Sequence, residues 1–174
     1  SDNLCLDGQR LIQTNASGVP LTFPQTNDSV GLAKGVTHEY STEKDTYARI
    51  RAYGYANGDT TGTSGPAYFK VWTKSGQIYE YGDGPSHDGN TKALINAQGA
   101  TTAAVWAVAR ISDTLSNYID FKYEQRDVPW GSGTTSTPQL GHEWNLLEIQ
   151  YSGNKVVFNY DPLDQRADKS EAYH

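Results

Sequence analysis

The chain has 174 residues and a net charge of −6, with a pI near 5.1, and its 14 lysines and arginines are scattered. That excludes nucleic-acid binding by a clustered basic footprint, and no apolar run approaches the roughly 20 residues needed to span a bilayer. Hydrophobic residues make up only 36% and mean hydropathy is −0.66, yet there are 12 Tyr and 4 Trp, so amphipathic aromatics replace aliphatic bulk as in a β-rich protein.

This length supports one domain with a core that needs no covalent staples, and residues 1–174 are read as a single β-rich module. No Met occurs anywhere, so the chain is expected to be a piece of a longer polypeptide; no signal peptide is visible. Cys5 is the sole cysteine, which rules out an internal disulfide, and its setting between Leu4 and Leu6 predicts a small buried hydrophobe.

The first predicted element is a hairpin over Leu4–Gln13 that turns at Asp7-Gly8. Residues 14–37 lose periodicity and gain Asn, Ser, Gly and two prolines, which predicts a long surface excursion. Asn15-Ala16-Ser17 and Asn27-Asp28-Ser29 match the glycosylation sequon, a pattern common by chance. Alternation returns between His38 and Tyr55, with Ala48, Ile50 and Ala52 on one face and Tyr47, Arg49, Arg51 and Tyr53 on the other. The latter four are either a solvated aromatic-cation face or a ligand platform.

After a Gly/Thr-rich loop over residues 57–65, the central predicted hairpin runs from Pro66 to Gly82. Two runs of β-branched and aromatic residues flank Lys74-Ser75-Gly76, where glycine takes positive φ without a Cβ penalty. Tyr68, Lys70 and Trp72 oppose Phe69, Val71 and Thr73, so aromatics occupy both faces and the hairpin is expected to lie between layers. In the next loop, Asp83, Asp88 and Asn90 supply hard oxygens that suit calcium, but their spacing is not that of an EF-hand and Asp-Gly-Asn is ordinary turn chemistry. No cofactor is otherwise expected.

Lys92–Ile95 reads as a short strand, and Thr101–Ile111 as a strand paired through a turn with Tyr118–Glu124. In that second arm Ile119, Phe121 and Tyr123 are expected inward, with Asp120, Lys122 and Glu124 outward; Arg110 reads as an ion-pair or cap residue. Residues 125–143, around Trp130, read as a second long loop. A final hairpin over Trp144–Tyr160 turns at Ser152-Gly153-Asn154. The fold class expected is all-β with little helix: antiparallel hairpins forming a β-sandwich or a curved, shell-like sheet.

A search for chemistry finds no nucleophile elbow, zincin helix, phosphate loop or dinucleotide fingerprint. His38, His87, His142 and His174 share no metal-ligand spacing, and the 20 acidic residues single out no catalytic pair. No enzymatic activity is expected. The candidate ligand or interface residues are Tyr47, Arg49, Arg51, Tyr53 and Trp130.

Several stretches resemble one family, the virulence-plasmid B-protein-like module of Tc-toxin B subunits and large Rhs/YD-repeat proteins. They are Leu4-Cys5-Leu6-Asp7-Gly8-Gln9-Arg10-Leu11, Glu39–Glu43 with Tyr47–Ile50, Gly65–Gly82, Val105–Ala107, Arg110–Asp113, Asn117–Phe121 and Ile149–Asn154, in the family's order. The resemblance implies an all-β, non-catalytic structural module of a large secreted bacterial toxin protein, contributing to a β-rich shell around a C-terminal toxin. Its partners would be the rest of the parent polypeptide and the toxin domain. It carries over no catalytic residues; Trp72, Trp106 and the tyrosines come over as packing residues, Gly76 and Gly153 as turn residues. This chain departs from the pattern over 14–37 and 125–143 and holds no Tyr-Asp repeats. The competing reading is a secreted β-sandwich that binds host-surface glycans through exposed aromatics.

Overall fold

The structure, a computed structural model, describes residues 4–20, 35–44, 46–85, 91–97, 100–130 and 139–160, and of 127–130 and 139–142 the backbone only. Within them the chain is all-β. The strands are β1 (Cys5–Leu6), β2 (Gln9–Thr14), β3 (Val36–Thr42), β4 (Arg49–Tyr53), β5 (Tyr68–Trp72), β6 (Ile78–Gly82), β7 (Leu94–Asn96), β8 (Ala103–Trp106), β9 (Val108–Ser112), β10 (Tyr118–Trp130), β11 (Gln139–Tyr151) and β12 (Asn154–Val157). A three-residue 3-10 turn at Ala56–Gly58 is the helical element among the described residues.

Ten strands form one antiparallel sheet in the order β1-β2-β3-β4-β5-β6-β9-β10-β11-β12, and β7 and β8 pair separately. The large sheet is a meander, broken only where β7 and β8 leave it between β6 and β9. At about 4.8 Å per strand it is roughly 43 Å wide. Turn chemistry sets its register: Asp7-Gly8 and Ser152-Gly153 both take positive φ at both positions, the type I′ geometry that matches strand twist. Asn154 therefore opens β12, opposite Tyr151, instead of belonging to the turn.

The core lies on one face. Ile50, Ala52, Phe69 and Val71 are buried at its centre, under Leu4, Leu6, Leu11 and Trp106. Trp106 is the main anchor: its edge meets Phe69 at 5.2 Å, and its indole N–H donates to the Pro66 carbonyl at 2.8 Å. Gly82 makes room for it, because a Cβ there would lie 2.7 Å from both Trp106 Cδ1 and the Ala67 carbonyl oxygen. A second cluster joins Ala56, Leu94 and Ala103 below Trp106. A third holds Ala93, Ala109 and Tyr123, with Tyr123 stacked on Trp144 at 4.1 Å. Its clasp is the 92–94 backbone, where Lys92 O accepts from the Trp144 indole at 2.9 Å and Leu94 O from Gln125 Nε2 at 2.8 Å.

The central hairpin forms as expected, but among the described residues the core covers only one of its faces, so it does not lie between layers. Phe69 and Val71 are buried, and Tyr68, Lys70 and Trp72 are half-buried on the opposite face. Other expectations are corrected. Cys5 is exposed, because alternation sends Leu4 and Leu6 to the core and Cys5 outward. Residues 125–143 are not a loop along their whole length: β10 runs to Trp130 and β11 starts at Gln139, paired from Gln125↔Trp144 to Trp130↔Gln139. The Thr101–Ile111 run divides into β8 and β9, with Ala107 between them. Thr14 and Val36 bound the expected 14–37 excursion; its residues 21–34 lie outside the described residues.

Along β10 the alternation of faces holds, but the burial expected from it is corrected. Ile119 is 38% exposed whereas Asp120 is 8% exposed, the reverse of the expected burial, because Asp120 is covered through its ion pair with Arg110. Tyr123 is buried as expected. One residue, Leu147, is extra in β11 between the pairs Lys122↔Glu148 and Tyr123↔Leu146, a bulge that bends the long hairpin.

Candidate functional site

Cross-strand partners project to the same face, so the register converts into a surface map. One row runs straight across nine strands: Thr14, Glu39, Arg51, Lys70, Glu80, Arg110, Asp120, Gln150 and Lys155. Each of its members is polar, and six consecutive ones are charged. The charges pair: Lys70 Nζ to Glu80 Oε1 at 2.9 Å, Arg51 Nε to Glu39 Oε1 at 3.5 Å, and Arg110 forked on Asp120 through Nε at 2.5 Å and Nη2 at 2.7 Å. Arg49, one pleat away, also reaches Glu39 Oε1, at 2.8 Å. The face opposite the core is thus a charged belt in which long side chains cover one another's heads.

Aromatic rings thread this belt. Tyr53 and Tyr68 stack at 4.8 Å and 3°, Arg51 lies 5.8 Å from the Trp72 ring, and Arg110 lies 4.3 Å over the Tyr118 ring. The next row, Trp72, Ile78, Ser112 and Tyr118, is the far wall of an open trough of about 420 Å³. The near wall is Lys70, Glu80 and Arg110, and the turn between β9 and β10 closes one end with Asp113 and Ser116. That turn is fixed by Asp113, whose carboxylate accepts from the Leu115 and Asn117 amides and from Asn117 Nδ2, which hold its pKa below the usual range. The fork to Asp120, against the cost of burial, raises the Arg110 pKa further.

The residues singled out by sequence are partly assembled here. Arg49, Arg51 and Tyr53 share the polar face of β4, but each is engaged, Arg49 and Arg51 on Glu39 and Tyr53 on Tyr68. Tyr47 precedes the strand at φ 57, is 72% exposed, and carries the Lys74 ammonium 5.0 Å from its ring. Trp130 stands apart, at the end of β10 beside Gln139. Four strand steps separate β4 from β10, roughly 19 Å, so these five residues are not one surface. Of the calcium set, Asp83 accepts from Thr91 Oγ1 at 2.9 Å, and Asp88 and Asn90 lie outside the described residues. Among the described residues no group of three or more His, Cys, Asp or Glu could hold a metal. His87 and His174 also lie outside the described residues.

Sequence reasoning missed Glu80, Asp120 and Tyr118, and left Arg110 as an ion-pair residue, which it is. The signal was available: charged residues recur at alternate positions in consecutive strands, with opposite signs on every neighbouring pair from Glu39 to Asp120 except Arg51 and Lys70. Other shifted groups have packing causes. Burial raises the hydroxyls of Tyr40, Tyr81 and Tyr123 to about 12, and Thr61 and Ser64 hold the Asp59 carboxyl well below its usual range. No helix among the described residues is long and apolar enough to cross a membrane. No family model matches the chain, and no curated protein or solved structure matches it.

Proposed function

We propose that this chain is a non-catalytic structural module of a large secreted toxin protein of the Rhs or Tc type, one section of a β-rich shell around a C-terminal toxin. The observation that carries this reading is an apolar sheet face covered at one end and bare at the other. Over β3–β6 the face is sealed by Leu4, Leu6, Leu11 and Trp106. Towards β12 the same face leaves Ile119, Tyr151 and Val156 38%, 42% and 42% exposed, in register beside half-buried Phe121 and Ile149. Contiguous apolar surface of this kind belongs under a partner.

The edge agrees. β12 pairs with β11 on one side, and its Phe158 amide donates to Leu147 O, so by alternation the amides of Lys155 and Val157 point outward. Among the described strands none pairs with that edge, and such an edge is a place for a further strand. On this reading the module's partners are the rest of the parent polypeptide and its toxin, and the parent works outside the cell. Reading the parent coding sequence outward from both ends tests it: Tyr-Asp repeats followed by a variable C-terminal domain are expected downstream. A stop codon close after His174, with a signal peptide upstream, would overturn it.

A further inference from the structure

We infer that the trough on the polar face is a binding site for an uncharged saccharide. Its walls combine the two things a sugar needs. Trp72 and Tyr118 stand on the same row, three strand steps or roughly 14 Å apart across Ile78 and Ser112, and each offers apolar ring surface to the C–H face of a pyranose at its own end of the trough. Tyr118 is 45% exposed, so that surface is open to a ligand. Opposite them Arg110 is held between Asp120 and the Tyr118 ring; the Asp120 fork takes two of its five N–H donors and leaves three for hydroxyl oxygens.

The charge balance selects the class. Lys70 is paired with Glu80 and Arg110 with Asp120, so both cations are already neutralised, Asp113 is tied up by the amides of its own turn, and a charged ligand would have to displace an ion pair to gain from entering. A polyol with alternating donors and acceptors matches that mixture. Rigidity is built in as well, since the floor is four hydrogen-bonded strands and the end wall is the Asp113–Asn117 turn. The volume of about 420 Å³ falls within the range of roughly 300–1,000 Å³ typical of small-molecule sites, room for a mono- or disaccharide. This site is on the face opposite the bare apolar rows, so it is independent of the shell proposal.

The test is nuclear magnetic resonance on the whole 174-residue chain, titrated with glucose, galactose, mannose, N-acetylglucosamine and maltose, and with glucuronate and glucosamine as charged counterparts. At least one neutral sugar is expected to bind in the millimolar range and to shift the Trp72 indole and the Ser112 and Ser116 amides. The Trp106 and Trp144 indoles, bonded to Pro66 O and Lys92 O, are expected to stay still. Tyr118→Ala should weaken binding about tenfold and Tyr118→Phe should retain it, because ring surface and not the hydroxyl makes the contact. No response to any neutral sugar would overturn the site. So would preference for a charged counterpart, shifts confined to the Trp130 indole, or a folded Tyr118→Ala chain that binds unchanged.

Discussion

At the scale of single residues, the structure rests on a few positions that admit no substitute. Gly82 combines φ +85 with contacts that a Cβ would violate, whereas Gly153, at φ +79, has open space around it. Gly82→Ala is therefore expected to cost about 3–5 kcal/mol, left-handed strain plus displacement of Trp106, and Gly153→Ala about 1 kcal/mol, strain alone. Urea melts of the two variants check the difference; equal losses would show that Trp106 yields freely. The buried tyrosines set a pH limit. Their hydroxyls titrate at about 12 in the fold, above the value of 10.0 expected when exposed. A raised folded pKa means that their contribution is complete below pH 10 and is lost as pH rises towards 12. Stability is thus expected to fall between pH 10 and 12, and Tyr40→Phe, which cannot ionise, should flatten part of that fall. Thermal melts across this window check it.

At the scale of elements, the ionic belt and the aromatic clasp carry different loads. Arg110 and Asp120 are 19% and 11% exposed as side chains, so removing one leaves the other's charge half-buried. Arg110→Ala is expected to cost about 2–4 kcal/mol, and the exchange Arg110→Asp with Asp120→Arg should recover part of it. Trp144→Ala, which loses the Tyr123 stack and the Lys92 bond, is expected to cost about 3–5 kcal/mol and to expose the 92–94 backbone to proteolysis. Much at this scale was legible beforehand. Asp7-Gly8 announced its hairpin, the Lys74-Ser75-Gly76 turn announced the central one, and strict alternation put Phe69 and Val71 on one face, although aromatics on both faces left open which face is buried. What failed did so for physical reasons. Asp120 reads as solvated because a sequence does not display the Arg110 fork that covers it, and alternation cannot register the extra Leu147 that bends β11. Gly, Ser and Pro over residues 125–143 suggest a loop, yet a two-stranded ladder runs into both ends of that stretch through backbone pairing that is indifferent to side-chain type.

At the scale of the whole molecule, the sheet is asymmetric along its width and between its faces. One face is self-covering, its charges paired into a belt. The other is sealed under Trp106 and the β1–β2 hairpin but open where Ile119, Tyr151 and Val156 lie. The all-β class could be read from composition and turns, but not the single ten-stranded order, because strand neighbours follow from tertiary pairing after β7 and β8 leave the sheet. A partly exposed apolar face and a β12 edge that no other described strand covers are the features the shell proposal explains. Sedimentation velocity of the isolated chain over a rising concentration series tests that claim most directly. The expected result is concentration-dependent self-association that Val156→Lys abolishes without lowering the melting temperature. A strictly monomeric chain at the highest concentration would contradict it, since a bare apolar edge made to be covered would then have no affinity for apolar surface.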